Sequence, residues 1–121
     1  MVGIVGTPGV GDLAKAARYA MTVARHVMVT AAVREVATYQ GRCPRAAFLA
    51  NVLVGSQTLA DGCYSRAACW GTFHGSRVAA VREMIEGAVG AGLVERGRVA
   101  GAPQALTVTS EGERRLAALF V

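Results

Sequence analysis

The sequence predicts a mainly α fold: a winged helix-turn-helix with a three-helix core and a short β-hairpin wing, preceded by an extra long N-terminal helix. Three observations carry this expectation. Asp12 to about Gln40 contains neither Gly nor Pro; two further apolar periodicities each stop at a glycine; and two short β segments joined by a compact turn precede a helix-capping pattern. Helix, loop, helix, hairpin, helix is the winged-helix order.

The first element opens on Asp12, a side chain suited to an N-cap, and follows the Gly-rich stretch Gly3 to Gly11, which reads as a flexible leader. At about 100° per residue, Lys15, Arg18, Thr22, Arg25 and His26 share one arc of about a quarter-turn, and Leu13, Ala16, Ala17, Tyr19, Ala20, Val23, Ala24, Val27 and Met28 fill the remainder. That apolar arc is wider than a surface helix needs, so this helix is expected to pair two chains. After Thr30 the phase drifts, with Glu35 and Thr38 falling where the apolar arc had been, and a bend near Thr30 is expected. The second helix should run from Pro44 at its first position to Val54, with Phe48, Leu49, Val52 and Leu53 on one face and Gly55 as its stop. A third, over Ser76 to Gly90 with Ser76 as N-cap, puts Val78, Val81, Met84, Ile85, Ala88 and Val89 inward. Leu93 to Val99 and Gln104 to Thr109 then form the wing around Ala100 to Pro103. Ser110 and Glu113 have capping-box spacing and start a final helix through Leu116 and Leu119. The chain thus divides into a leader (1–11) and one domain (12–121), in which the long helix (12–40) precedes the winged part (43–121).

Hydrophobic residues make up 53% of the 121 and charged residues 17%, which excludes the low-hydrophobicity signature of a disordered chain. Thirteen Lys and Arg against eight acids favour a polyanionic partner. The excess sits in residues 1–60, where Lys15, Arg18, Arg25, Arg34, Arg42 and Arg45 face only Asp12 and Glu35. Cys43, Cys63 and Cys69 fit neither a paired framework nor a C-x-x-C zinc site, so reduced thiols and a cytoplasmic setting are expected. No apolar run approaches the roughly 20 residues needed to cross a bilayer, so no membrane partner is expected.

Few patterns carry chemistry. Gly6 to Gly11 begins like a phosphate-binding P-loop, but Asp12 and Leu13 stand where a Lys and a hydroxyl residue are required, which turns a negative charge towards the anion. With two histidines, His26 and His74, and no nucleophile-elbow or zincin motif, the chain reads as a non-enzyme with no cofactor and no metal. Trp70 and Phe73 read as core aromatics that pin the loop between helices. On the outward face of the third helix, Arg82 stands with Glu83 and Glu86, too neutral a set for base readout in the major groove. The cations expected to meet DNA are therefore Arg77 beside Ser76 at the start of that helix, Arg82 on it, Arg96 and Arg98 on the first wing strand, and Lys15, Arg18 and Arg25 on the long helix.

Cys43 to Thr58, Trp70-Gly71, Val81 to Val94 and Ala105 to Gly112 together resemble the RQC domain, the winged-helix module of RecQ-family DNA helicases, over about residues 42 to 118. Asn51-Val52-Leu53-Val54-Gly55-Ser56 is similar to its D-V-L-x-G-S element and Leu106-Thr107-Val108-Thr109 to its L-x-L-T element. The resemblance implies duplex binding near a branch or end, in DNA repair or replication, with the wing at the strand junction and a helicase as a partner. Ala100 to Pro103 carries no aromatic wedge, and the 121 residues hold no helicase motor or four-cysteine zinc module. The sequence-level expectation is thus a non-catalytic, structure-selective DNA-binding module, with a protein-docking or dimerisation module and a dimeric transcriptional regulator as the alternatives.

Overall fold

The computed structural model describes residues 10–56 and 68–119, so Cys63, the glycines before Val10 and the P-loop-like positions ahead of it lie outside the described residues. The chain folds as α1 (Val10–Gln40), α2 (Ala46–Val54), α3 (Val78–Gly90), β1 (Val94–Arg96), β2 (Leu106–Val108) and α4 (Ser110–Ala118). Among the described residues, four helices and one small antiparallel hairpin make a mainly helical fold, in an order compatible with a winged-helix-like fold.

The core forms where α1, α2 and α3 converge on the hairpin. Val29, Val33 and Val36 of α1 meet Leu49, Val52 and Leu53 of α2, Val81 and Ile85 of α3, and Val94 and Leu106 of the hairpin, each 1% exposed or less. A buried aliphatic side chain stabilises by about 1.5–3 kcal/mol, so this cluster holds the elements together. Trp70 and Phe73 pack against it, and the amides of Gly71 and Phe73 donate to the carbonyls of Val52 (3.0 Å) and Leu53 (2.8 Å), which pins the loop before α3 to the end of α2. Gly55 closes α2 at φ 77°, and a side chain there would press on Gly71 Cα at 3.2 Å, so conformation and space both require glycine.

Several boundaries differ from the sequence expectation. Helix α1 begins at Val10, so Asp12 lies within its first turn, where a carboxylate suits the helix dipole, instead of preceding it as a cap. Pro44 does not open α2. Its carbonyl accepts from Leu106 N at 2.8 Å, and Arg45 bridges Ala105, so Pro44 and Arg45 run extended along the hairpin before α2 starts at Ala46. A proline is compatible with that edge because its missing N–H is not needed there. The N-cap of α3 is Arg77 in extended conformation, with no side-chain cap, and not Ser76. For α4 the cap is Thr109, one residue before Ser110: its hydroxyl accepts from Gly112 N at 3.0 Å and donates to Gly92 O at 2.5 Å. Glu113 reaches Arg34 of α1 instead of closing a capping box.

Helix α1 runs unbroken through Thr30, whose hydroxyl donates to His26 O at 2.7 Å. The drift in apolar phase has another origin. Leu13, Ala17, Ala20 and Ala24 lie on one side of α1 and are exposed, whereas Val29, Val33 and Val36 lie roughly half a turn away and are buried in the core. The helix carries two apolar faces in succession, pointing opposite ways. Glu35 and Thr38 stand where the first face ends. No helix among the described residues is long and apolar enough to cross a membrane.

Candidate nucleic-acid interface

The expected site residues occupy three places. On α3, Arg77 is exposed at the N-terminus and Arg82 is exposed one turn further along. On the hairpin, Arg96 forms a two-pronged ion pair with Glu86 of α3, one prong at 2.9 Å, and Arg98 pairs with Glu95 at 3.0 Å. On α1, Lys15 and Arg18 are exposed and Arg25 is half-buried, lining with Thr22, His26, Ala80, Glu83 and Met84 a shallow cleft of about 350 Å³ between α1 and α3.

The fold thus brings Arg82 and Arg96 together across Glu86. The ion pair with Arg96 holds the Glu86 carboxyl below its ordinary range despite partial burial, with the Arg82 charge assisting, and the same pair raises Arg96. Glu86 between two guanidiniums ties the wing to α3, and with exposed Glu83 beside Arg82 the face is close to neutral. Arg98 is not part of that cluster, and Ser76 is half-buried. The α1 cations lie on the side of that helix that turns towards α3 and away from its exposed apolar face.

Charge is sorted over the surface of the described residues. Arg34 pairs with Glu113, Arg114 and Arg115 with Glu111, Arg96 with Glu86, and Arg98 with Glu95. Among the described residues, Lys15, Arg18, Arg25, Arg42, Arg45, Arg77 and Arg82 have no carboxylate partner, and of the acids only Asp12 and Glu83 are left without a donor. Arg45 is the residue that sequence reasoning missed. It is exposed at the N-cap of α2 and bridged to Ala105 at the base of the wing, a position that follows from the extended Pro44-Arg45 pairing and from no periodicity.

Groups with catalytic potential are held in structural roles. His26 packs its imidazole against Gly87, where a side chain could not be added without displacing the ring. Glu35 accepts from the amides of Cys69 (2.7 Å) and Ala68 (3.0 Å), anchoring the loop after the undescribed stretch onto α1. Burial raises this carboxyl, but hydrogen bonds from the Cys69 thiol and the two amides outweigh it and bring the net shift down. Burial pushes the Cys69 thiol up to about 12, and the hydrogen bond and charge of Glu35 add to the rise. Since the thiolate is the reactive form, Cys69 should resist alkylation at pH 8 in the native protein and react only on unfolding. Mass-mapped labelling with iodoacetamide checks this, and fast native modification at Cys69 contradicts it.

Comparison with protein-family models, with curated proteins and with solved structures finds no match to this chain.

Proposed function

We propose that the chain is a winged helix that binds DNA through its phosphates, selects structure over sequence, and performs no chemistry of its own. The observation that carries this reading is the sorting of charge: most acids are consumed by ion pairs or amides, while Arg45, Arg77 and Arg82 stay open around α2 and α3 with Lys15, Arg18 and Arg25 on the adjoining helix. Unpaired guanidiniums beside the α2 and α3 N-termini suit phosphate oxygens, which those helix ends also attract. A neutral α3 face with few amide side chains supplies little base readout, which favours shape and charge over sequence. The likeness to the RQC module of RecQ-family helicases points the same way and suggests branched or forked duplex as the preferred substrate and a helicase as a possible neighbour, in a cytoplasmic setting.

The deciding experiment is a salt titration of binding to forked, duplex and single-stranded DNA by fluorescence anisotropy. Each phosphate contact contributes a slope of about −0.9 in log K against log salt on duplex. Binding that is steeply salt-dependent, tightest on the fork and indifferent to sequence agrees with the proposal. Undetectable binding at low salt removes it.

The pairing of Arg96 with Glu86 adds a sharper expectation. Glu86→Gln keeps the shape and removes the charge, which frees Arg96 from its ion pair and takes away the negative charge near Arg82. The variant should bind DNA more tightly than the parent, with a slope steeper by up to about one unit. Its stability cost should be small, since exposed ion pairs contribute only about 0–1 kcal/mol. An unchanged slope would place the face between α3 and the wing away from the phosphates.

A further inference from the structure

We infer that the first half of α1 is the homodimer interface of this protein, and that two copies pair there antiparallel, Ala20 of one chain meeting Ala24 of the other. Helix α1 is 31 residues long, roughly 45 Å, yet its buried residues begin only at Val29. Of the preceding turns only the last, through Val27 on the core and His26 on Gly87, is held by the rest of the fold, and a helical stretch as long as the remainder is marginal in water unless something covers its apolar side. That side is described by Leu13, Ala17, Ala20, Ala24, Val27 and Ala31, spaced alternately four and three residues apart, which is a heptad seam. Leu13 is 57% exposed, Ala17, Ala20, Ala24 and Ala31 are exposed, and Met21 and Met28 on the flank are 53% and 41% exposed; Val27 alone is half-buried against the core, so the seam is open over most of its length.

Three features commit it to a second copy. The first is shape. About a two-fold axis between Ala20 and Ala24, the antiparallel register sets Leu13 against the partner's Ala31, Val27 against the partner's Ala17, and Ala20 against the partner's Ala24. Every layer then places a large residue over a small one or two small ones together, as close helix approach requires. A parallel pairing instead stacks leucine on leucine and alanine on alanine, leaving uneven layers.

The second is charge. Lys15, Arg18 and Arg25 lie on the opposite side of the helix, so no like charges of α1 oppose each other across the seam, and Arg115 of α4, at the edge of the groove beside it, is paired with Glu111. Antiparallel pairing also moves the two cationic halves to opposite ends and opposes the helix dipoles.

The third is the groove beside the seam. Val23 and Val27 of α1 form, with Ala118 and Leu119 of α4, an apolar channel of about 600 Å³, and Leu119 is 62% exposed at its edge. In the antiparallel register the front of the partner's α1 runs along this channel. A membrane surface is a poorer occupant, because insertion draws on Trp, Phe and Leu, whereas an alanine seam offers close approach and little area.

Sedimentation velocity of the full chain at high micromolar concentration tests the inference. The parent should sediment at twice the chain mass. Ala20→Glu and Ala24→Lys, at exposed positions where the single chain tolerates charge, should each raise the dissociation constant at least about tenfold by burying an unpaired charge between the helices, with the far-UV circular dichroism of the winged part retained. The double variant Ala20→Glu/Ala24→Lys should dimerise again, because antiparallel pairing sets each Glu against the partner's Lys. Parallel pairing would set like against like, and a double variant as monomeric as the single ones overturns the register. A monomeric parent, or a dimer indifferent to both single changes, overturns the interface itself. None of these outcomes depends on whether the protein binds DNA.

Discussion

Gly112→Ala should lower the thermal midpoint of the protein by several degrees, although alanine is the better helix former by about 1 kcal/mol. The reason is space. Gly112 sits buried in the first turn of α4 against the base of the hairpin, and an added Cβ would fall 2.7 Å from Val108 Cγ1 and collide with the carbonyl of Leu93. That carbonyl accepts from Thr109 N at 3.1 Å, and the Thr109 hydroxyl holds the Gly112 amide, so backbone would have to move on both sides of the contact. Overpacking of this kind costs about 1–3 kcal/mol and outweighs the propensity gain. With backbone obstructed on both sides the upper part of that range applies, and after the gain of about 1 kcal/mol a net loss of about 1–2 kcal/mol remains, which at roughly 4 °C per kcal/mol for a domain of this size corresponds to about 4–8 °C. Gly90→Ala is the control, since it too is helical, has ordinary backbone angles and meets nothing within 4 Å. It should be neutral or slightly stabilising. Scanning calorimetry of the two variants side by side decides the matter, and equal midpoints would mean that α4 does not seat on the hairpin as described.

The largest functional effect is expected from Arg45→Ala/Arg77→Ala/Arg82→Ala. If these three open guanidiniums each hold a phosphate, the triple variant should lose nearly three units of salt slope at about 0.9 per contact, and roughly 100-fold or more in affinity at moderate salt. The loss should be the same for unrelated duplex sequences, because phosphate contacts carry no base information. Anisotropy titrations on two duplexes of different sequence, each over a range of salt, measure both quantities. Arg96→Ala and Arg98→Ala should do less, because both guanidiniums already sit on carboxylates. A loss confined to one duplex and traceable to Arg82 alone would mean that α3 reads bases, and a dimeric regulator would then describe the protein better. An unchanged slope would locate the binding surface elsewhere.

The sequence made the interior legible where one periodicity had one cause. Val81, Ile85 and Ala88 recur at helical spacing because they face a single core, and Gly55 stops α2 because the chain must turn left-handed there. Boundaries were harder where two neighbouring residues could both cap. Thr109 prevails over Ser110 because its hydroxyl also reaches Gly92, a contact invisible without the fold. Pro44 suits a helix start and an extended edge equally well, and the choice rests on the amide of Leu106, a residue far along the chain. For the candidate site, Arg77 and Arg82 were readable from helical position. The neutralisation of Arg96 by Glu86 joins a strand to a helix and leaves no mark in local pattern, and Arg45 gained its place only once Pro44 left the helix. The phase drift in α1 was visible, but a change of face and a bend give the same signature in one dimension.

That change of face makes α1 an axle whose two ends are set at a fixed angle by residue count alone. One residue added or lost between Met28 and Val29 would turn everything before it by about 100° relative to the folded part, whereas a change of seven residues, close to two full turns, would restore the alignment to within about 20° and alter only the length. Single insertions in this stretch would thus rewire the orientation of the front of the chain and lift Val27 and His26 from their seats while leaving the buried residues from Val29 onward in place, whereas heptad-sized ones would leave that orientation nearly intact. The helix can lengthen or shorten in evolution only in quanta, and the middle of an apparently featureless alanine-rich segment becomes one of the places in this protein least tolerant of a changed residue count.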